Sequence, residues 1–145
     1  MVKAIDLANY LLGLSEPEAG DGISNLKMQK LLYYCQGVYL ALYDKPLFEE
    51  NIYAWEHGPV VEEMYHIFKS HGSDNIPIPI NVDLSVVEKD SDVKEIAEEV
   101  YEVYGQYSAW KLRNMTHEES PWLDTGTGAI ITHPLLQDYF KTLVA

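Results

Sequence analysis

The chain has 145 residues, of which 47% are hydrophobic and 23% charged, values that fit one globular domain spanning residues 1–145. Ten Lys and Arg against 23 Asp and Glu give a net charge of -13, which argues against nucleic-acid binding because affinity for phosphates depends on cationic side chains. No apolar run reaches the roughly 18 residues of a membrane helix, and the single cysteine, Cys35, excludes an internal disulfide, so a cytoplasmic protein is expected.

The first third of the chain predicts two helices. Residues 3–13 form a short amphipathic pattern that ends at Gly13. Residues 23–43 predict a long helix, which Ser24 or Asn25 can cap. The apolar spacing predicts a broad inward face on this helix, made of Leu31, Tyr34, Cys35, Val38 and Leu42.

The stretch AWEHGPV, residues 54–60, places an acid and a base beside a Gly-Pro step. The aromatic and β-branched residues between Phe48 and Trp55 allow a short strand before it. Pro59 is typical of the first turn of a helix, where its missing N–H costs nothing, and Gly72 is a suitable stop. The pattern therefore predicts that the Gly-Pro step begins a helix and is not a catalytic loop.

Residues 73–91 form a different kind of segment. Isoleucines alternate with prolines, which cannot donate the hydrogen bonds of a central strand, so an extended edge ribbon or an ordered loop is predicted. Asp92 and Glu95 have capping-box spacing at the start of the next helix, whose inward residues are predicted to be Val93, Ile96, Val100, Val103 and Tyr104.

Two more helices are predicted in the last third of the chain. Ser108 can cap one that must stop before Pro121, and Thr132 or His133 precedes a last helix through Leu143. The whole pattern predicts a mainly α, single compact domain of about six helices with a possible short β-ribbon.

No catalytic or metal-binding spacing stands out among the five histidines and many carboxylates. HExxH, GxSxG, P-loop and GxGxxG patterns are all absent from the sequence, and Cys35 lies on an apolar helix face, where a core thiol is expected. We therefore predict no catalytic residue, no metal and no cofactor. An uncharacterised enzyme using His57 or His117 with nearby carboxylates is the alternative from a different class.

Three blocks carry a family resemblance: ISNLKMQKLLYYCQG (23–37), AWEHGPVVEEMYHIF (54–68) and LRNMTHEESPW (112–122). Together, in this order, they resemble the Panacea, or SocA-like, antitoxin domain family, and the resemblance spans roughly residues 5–140. It implies a mostly α domain of bacterial and phage toxin–antitoxin operons that binds and neutralises a toxin protein. It also implies, as an alternative, an adaptor that delivers the toxin to a Clp protease.

The positions that match the family motifs are predicted to be mostly architectural. Trp55 and Trp122 are large anchors whose indole N–H groups need partners, and Thr116 and His117 can satisfy carbonyls near a helix end. The matching positions are Asn25, Lys27, Gln29, Lys30, Leu31, Leu32, Tyr33, Trp55, Gly58, Pro59, Val60, Tyr65, Leu112, Thr116, His117, Glu118, Pro121 and Trp122.

The expected function is therefore that of a non-enzymatic antitoxin whose partner is a protein toxin encoded nearby. Contact with the partner is predicted in the 73–91 segment, where Ile78 and Ile80 are expected to be exposed, through strand addition or an apolar patch. Neither nucleic acid nor a membrane is an expected partner, and homo-oligomerisation stays open.

Overall fold

The computed structural model describes residues 1–144, and eight α-helices and three short strands lie in that range. In chain order the elements are α1 (Ala4–Leu14), α2 (Asn25–Tyr43), β1 (Ile52–Trp55), β2 (Gly58–Val61), α3 (Glu62–Phe68), α4 (Ser85–Glu88), α5 (Ser91–Tyr104), α6 (Ala109–Thr116), α7 (Ser120–Leu123), β3 (Ile130–Ile131) and α8 (His133–Lys141). The predicted mainly α fold with a small β element is confirmed. No helix of residues 1–144 is both long and apolar enough to cross a membrane.

Helix α2 runs through the centre of the molecule. The Ser24 hydroxyl caps it by accepting a hydrogen bond from the Lys27 amide, and Asp44, with a φ of 59°, ends it. Helices α5, α6 and α8 pack around it, so that five consecutive residues from Leu31 to Cys35 are fully buried. Most of α2 is thus buried on nearly all sides, beyond the broad inward face that was predicted. The prediction was wrong at Leu42, in the last turn of the helix, which is 45% exposed.

The three strands form an antiparallel sheet in the order β2-β1-β3. Trp55 pairs with Gly58, so that Glu56 and His57 form a two-residue hairpin turn. The prediction that Pro59 begins a helix was wrong: Pro59 pairs with Ala54 inside β2, and α3 begins three residues later, at Glu62. The third strand, Ile130–Ile131, was not predicted, because two residues carry no alternation to detect.

The segment after α3 contains an ordered loop followed by a single helical turn. The Ile76 amide donates a hydrogen bond to the Ile23 carbonyl at 2.8 Å, which fixes one end of the loop beside the start of α2. The other end enters α4, a turn that the sequence did not predict, whose Val87 is fully buried. Of the two predicted alternatives, the ordered loop is the one that the structure contains.

Local capping chemistry sets the starts of the last long helices. Asp90, not Asp92, caps α5, since its carboxylate accepts from the Val93 amide. Ser108 and Thr132 cap α6 and α8 as predicted. On α5, Val103 is 44% exposed, so its predicted inward position was wrong. One continuous hydrophobic core connects α1, α2, α5, α6 and α8 with the sheet.

Candidate functional site

The free edge of strand β2 is covered by two side chains of α2. The Lys30 ammonium donates a hydrogen bond to the Pro59 carbonyl at 3.0 Å, and the Val61 amide donates to Gln29 Oε1 at 3.0 Å. A sheet edge normally leaves such groups open to water or to another strand. Gln29 and Lys30 therefore supply the hydrogen bonds that a neighbouring strand would otherwise make.

A relay of amide groups holds Gln29 in place. Gln29 Nε2 donates to Asn25 Oδ1 at 2.7 Å, and Asn25 Nδ2 donates to the Tyr65 carbonyl at 3.1 Å. The relay fixes the orientation of both amides. The Val61 amide can only donate, so the Gln29 oxygen must face it, and the Tyr65 carbonyl can only accept, so the Asn25 nitrogen must face that carbonyl. Three positions of the family motifs, Asn25, Gln29 and Tyr65, are thus joined through polar contacts of α2, α3 and β2.

Lys30 is fully buried, and its ammonium forms no ion pair with a carboxylate of residues 1–144. Burial, together with the positive charge of Arg113, lowers the pKa of Lys30 to about 7. The side chain lies against Gly58, whose φ of 103° is a conformation that favours glycine. A Cβ at Gly58 would lie 2.8 Å from Lys30 Cε and 2.7 Å from Thr116 Oγ1, so there is no room for a larger residue.

The third block packs against the hairpin turn. Trp122 Nε1 donates to the Trp55 carbonyl at 2.8 Å, and the His117 ring stacks on Trp122 with centroids 3.9 Å apart. Burial and the charge of Arg113 lower the pKa of His117. Thr116 donates to the Arg113 carbonyl at 2.8 Å near the end of α6, and Pro121 is buried in the first turn of α7.

Lys27 and Glu118 complete the set of polar motif positions. The Lys27 ammonium donates to the Gly105 carbonyl at 2.6 Å and lies 4.0 Å from Asp21. Burial lowers the pKa of Lys27, and Asp21 partly opposes that effect. Glu118, in contrast, is exposed.

A buried carboxylate that the sequence did not single out, Glu119, lies against α2 one turn further along from Lys30. The hydroxyls of Tyr33 and Tyr34 donate to the two oxygens of Glu119, at 2.8 and 2.9 Å. Burial raises the pKa of Glu119, while the tyrosine hydrogen bonds act in the other direction. The sequence contains the adjacent tyrosines in the first block and the acidic run in the third. Their contact could not be predicted, because it depends on the packing of α6 and α7 against α2.

An open groove of about 770 Å³ lies between the hairpin, α3 and the start of α6. Its lining includes three large aromatic side chains, Trp55, Tyr65 and Trp110, together with the Asn25–Gln29 relay. The residues that line the groove include Asn25, Gln29, Trp55, Glu56, His57, Tyr65, Lys69 and Trp110. A groove of this size and apolar character is typical of a ligand or peptide site.

Ile78 and Ile80 lie outside this groove. They are 41% and 82% exposed on the ordered loop, between the buried Ile76 and α4. The carboxylate of Asp83 is on the same loop. The structure therefore presents two separate surfaces: an aromatic groove beside the motif residues and an apolar loop flanked by acidic residues.

The two histidines considered for an enzymatic role, His57 and His117, lie in different surroundings. His57 is exposed on the hairpin turn, with its ring 5.8 Å from that of Trp110, and His117 is stacked on Trp122. Over residues 1–144, no group of three or more His, Cys, Asp or Glu side chains is close enough to hold a metal ion. Cys35 is fully buried, and burial raises the pKa of its thiol.

These features define a mainly helical domain whose central helix covers the edge of a small antiparallel sheet. The family described as Antitoxin SocA-like, Panacea domain, matches residues 28–123. The chain is also 30% identical over 136 residues to Antitoxin SocA of Caulobacter vibrioides (strain NA1000 / CB15N), an alignment that covers 82% of this chain and 72% of that protein. The chain belongs to the SocA-like antitoxin family, and the resemblance predicted from the three blocks is confirmed. No solved structure matches it.

Proposed function

We propose that the protein is the antitoxin of a bacterial or phage toxin–antitoxin pair, that it works in the cytoplasm, and that it neutralises its toxin by direct protein–protein binding without catalysis. Family membership over residues 28–123 is the observation that carries this proposal. The net charge of -13 supports it further, because an acidic surface accelerates the approach of a basic protein.

The exposed loop provides an apolar contact surface for the toxin. Ile78, Ile80 and Val82 are 41%, 82% and 39% exposed, and Val86 extends the same run with 45% exposure. A cluster of exposed apolar side chains on a loop that is fixed at both ends costs little conformational entropy to order on binding. We assign toxin contact to this loop, with the acidic side chains nearby favouring a toxin surface that is basic and apolar.

The test is binding of the toxin encoded next to the gene by a loop variant carrying Ile78→Ser and Ile80→Ser. The variant is expected to keep the wild-type melting temperature and to bind the toxin more weakly by about tenfold or more, because two apolar contacts of roughly 1 kcal/mol each are lost. Ile67→Ser is the matched control, since Ile67 is 52% exposed on α3 and is not part of the loop. Unchanged toxin affinity in the loop variant would contradict the assignment to this loop.

Stoichiometry and toxin turnover separate blocking from delivery to a Clp protease. A blocking antitoxin protects cells up to a fixed ratio of toxin to antitoxin, and toxin levels do not fall. Protection at a large toxin excess, with toxin levels that recover when the Clp protease is absent, would instead assign an adaptor role. Light scattering of the complex gives the ratio of the two chains and shows whether the antitoxin acts as a homo-oligomer.

A further inference from the structure

The aromatic groove is preformed by contacts within the chain. Trp55 packs edge-on against Tyr65, with ring centroids 5.0 Å apart, on one side of the groove. Trp110 also lines the groove and is 54% exposed; the Arg113 guanidinium lies 4.6 Å from its indole centroid, and the His57 ring lies 5.8 Å from it. A cleft whose aromatic walls are already held in place binds a ligand with little loss of side-chain entropy.

Cations gather at this groove although the chain as a whole is strongly acidic. Lys69 lines it, and Arg113 lies beside it over Trp110. Among residues 1–144, neither Lys69 nor Arg113 forms an ion pair, and the Nε of Arg113 is buried without a hydrogen-bond partner. Glu56 is the one carboxylate in the lining.

The base of the groove adds hydrogen-bond donors. Asn25 and Gln29 are 4% and 1% exposed, and each uses one amide N–H in the relay described above. Each side chain therefore has one amide N–H left to donate, and its oxygen, which already accepts one hydrogen bond, has one lone pair left. The free amide N–H groups at the base, together with Lys69 and Arg113, are complementary to a ligand that carries carboxylates and carbonyl oxygens.

We propose that the groove receives an extended segment of the toxin in which an apolar side chain is flanked by acidic residues. This inference rests on the proposed function and adds a second contact surface of opposite charge to the loop. The apolar side chain lies between Trp55 and Trp110, and a carboxylate next to it pairs with Lys69. Overall charge then governs the rate of association, whereas the groove governs the lifetime of the complex, because partly buried charge pairs affect mainly the dissociation rate.

Charge reversal at the groove tests this proposal on the full-length protein with the toxin encoded next to the gene. Lys69→Glu and Trp110→Ala change exposed side chains, so both variants are expected to fold normally. Each is expected to weaken toxin binding by about tenfold, equivalent to about 1.4 kcal/mol, through faster dissociation. Lys111→Glu is the matched control, because Lys111 is an exposed lysine of α6 that does not line the groove, and its affinity is expected to stay within about twofold of wild type.

Overlapping synthetic peptides that tile the toxin identify the segment. Peptides that combine acidic and apolar residues are expected to bind the wild-type antitoxin and not the Lys69→Glu variant. A toxin whose acidic residue is replaced by lysine is expected to recover affinity for the Lys69→Glu variant. Wild-type toxin affinity in both groove variants would overturn the proposal while leaving the antitoxin function in place. Selective binding of basic peptides would overturn the proposal as well. So would binding of a nucleotide, tested with adenosine monophosphate, that the Trp110→Ala variant no longer shows. A wild-type protein that binds no toxin would overturn the proposed function itself.

Discussion

The buried Lys30 makes stability depend on pH in a direction that the structure fixes. Burial and the nearby Arg113 lower the pKa of Lys30 from 10.5 to about 7 in the folded protein. Between these two values the unfolded chain holds a proton that the folded chain has released, so the free energy of unfolding rises with pH. Since each pKa unit corresponds to about 1.4 kcal/mol, this one group adds about 2 kcal/mol of stability between about pH 7 and about pH 9.

Lys30→Met isolates this contribution because methionine fills a similar volume and carries no charge. The variant leaves the Pro59 carbonyl without its hydrogen bond, which costs about 1–3 kcal/mol at any pH. It also removes the energetic cost of burying a charged lysine near neutral pH. The loss of stability caused by Lys30→Met is therefore expected to be smallest near about pH 7 and to grow by about 2 kcal/mol by about pH 9.

Urea denaturation at the two pH values measures the difference directly. Lys45→Met is the control, since Lys45 is exposed at the end of α2, and this variant is expected to follow the pH dependence of the wild type. Lys27, whose pKa burial also lowers, is present in every variant and cancels in the comparison. If Lys30→Met shows the same rise between the two pH values as wild type, Lys30 is charged in the folded protein at both and the reasoning fails.

Three further results are expected. Gly58→Ala should destabilise by about 3 kcal/mol, since its φ of 103° and contacts below 3 Å leave no room for a Cβ, whereas Gly126→Ala, with open space around it, should melt like wild type. Trp55→Ala should lower the free energy of unfolding by about 2–3 kcal/mol, and His57→Ala, on an exposed turn, by about 0.5 kcal/mol or less, as thermal melts would show; equal losses would contradict this account of the hairpin. The association rate with a basic toxin should fall steeply with salt, because steering is screened beyond about 8–10 Å; a rate that does not change with salt would mean that the negative charge serves only solubility.

The parts of the fold that the sequence predicted well are those fixed by local chemistry. Ser24, Ser108 and Thr132 cap their helices through hydrogen bonds to amides three residues ahead, so a short window contains the whole signal. The cap of α5 was misplaced by two residues, because Asp90 and Asp92 offer the same chemistry and the Val93 amide donates to Asp90.

The hairpin could not be predicted from its own residues. A Gly-Pro step before two glutamates is a good local signal for the start of a helix. Pro59 lies in a strand nevertheless, because its carbonyl is satisfied by Lys30, a residue on another element. The same long-range dependence explains β3, whose two residues are a strand only through their pairing with Ile52 and Tyr53.

The groove follows from contacts that no single segment encodes. The three sequence blocks contain Asn25, Gln29, Trp55 and Tyr65, but Trp110 and Lys69 lie just outside them. The isoleucines of the 73–91 loop could be predicted to be exposed, because the prolines between them exclude a central strand. Assembly of the groove required the positions of the hairpin and α6 relative to α2.

Covering the edge of β2 with side chains has a consequence for how this domain binds proteins. A free strand edge is a general template for adding another strand, and Gln29 and Lys30 close it with hydrogen bonds from the core. Strand addition at β2 would require breaking both bonds and moving a buried lysine, at a cost of several kcal/mol. We therefore expect the proposed toxin segment to bind on this side of the sheet through side-chain contacts in the groove, so that specificity depends on the shape and charge of the segment and not on its backbone alone.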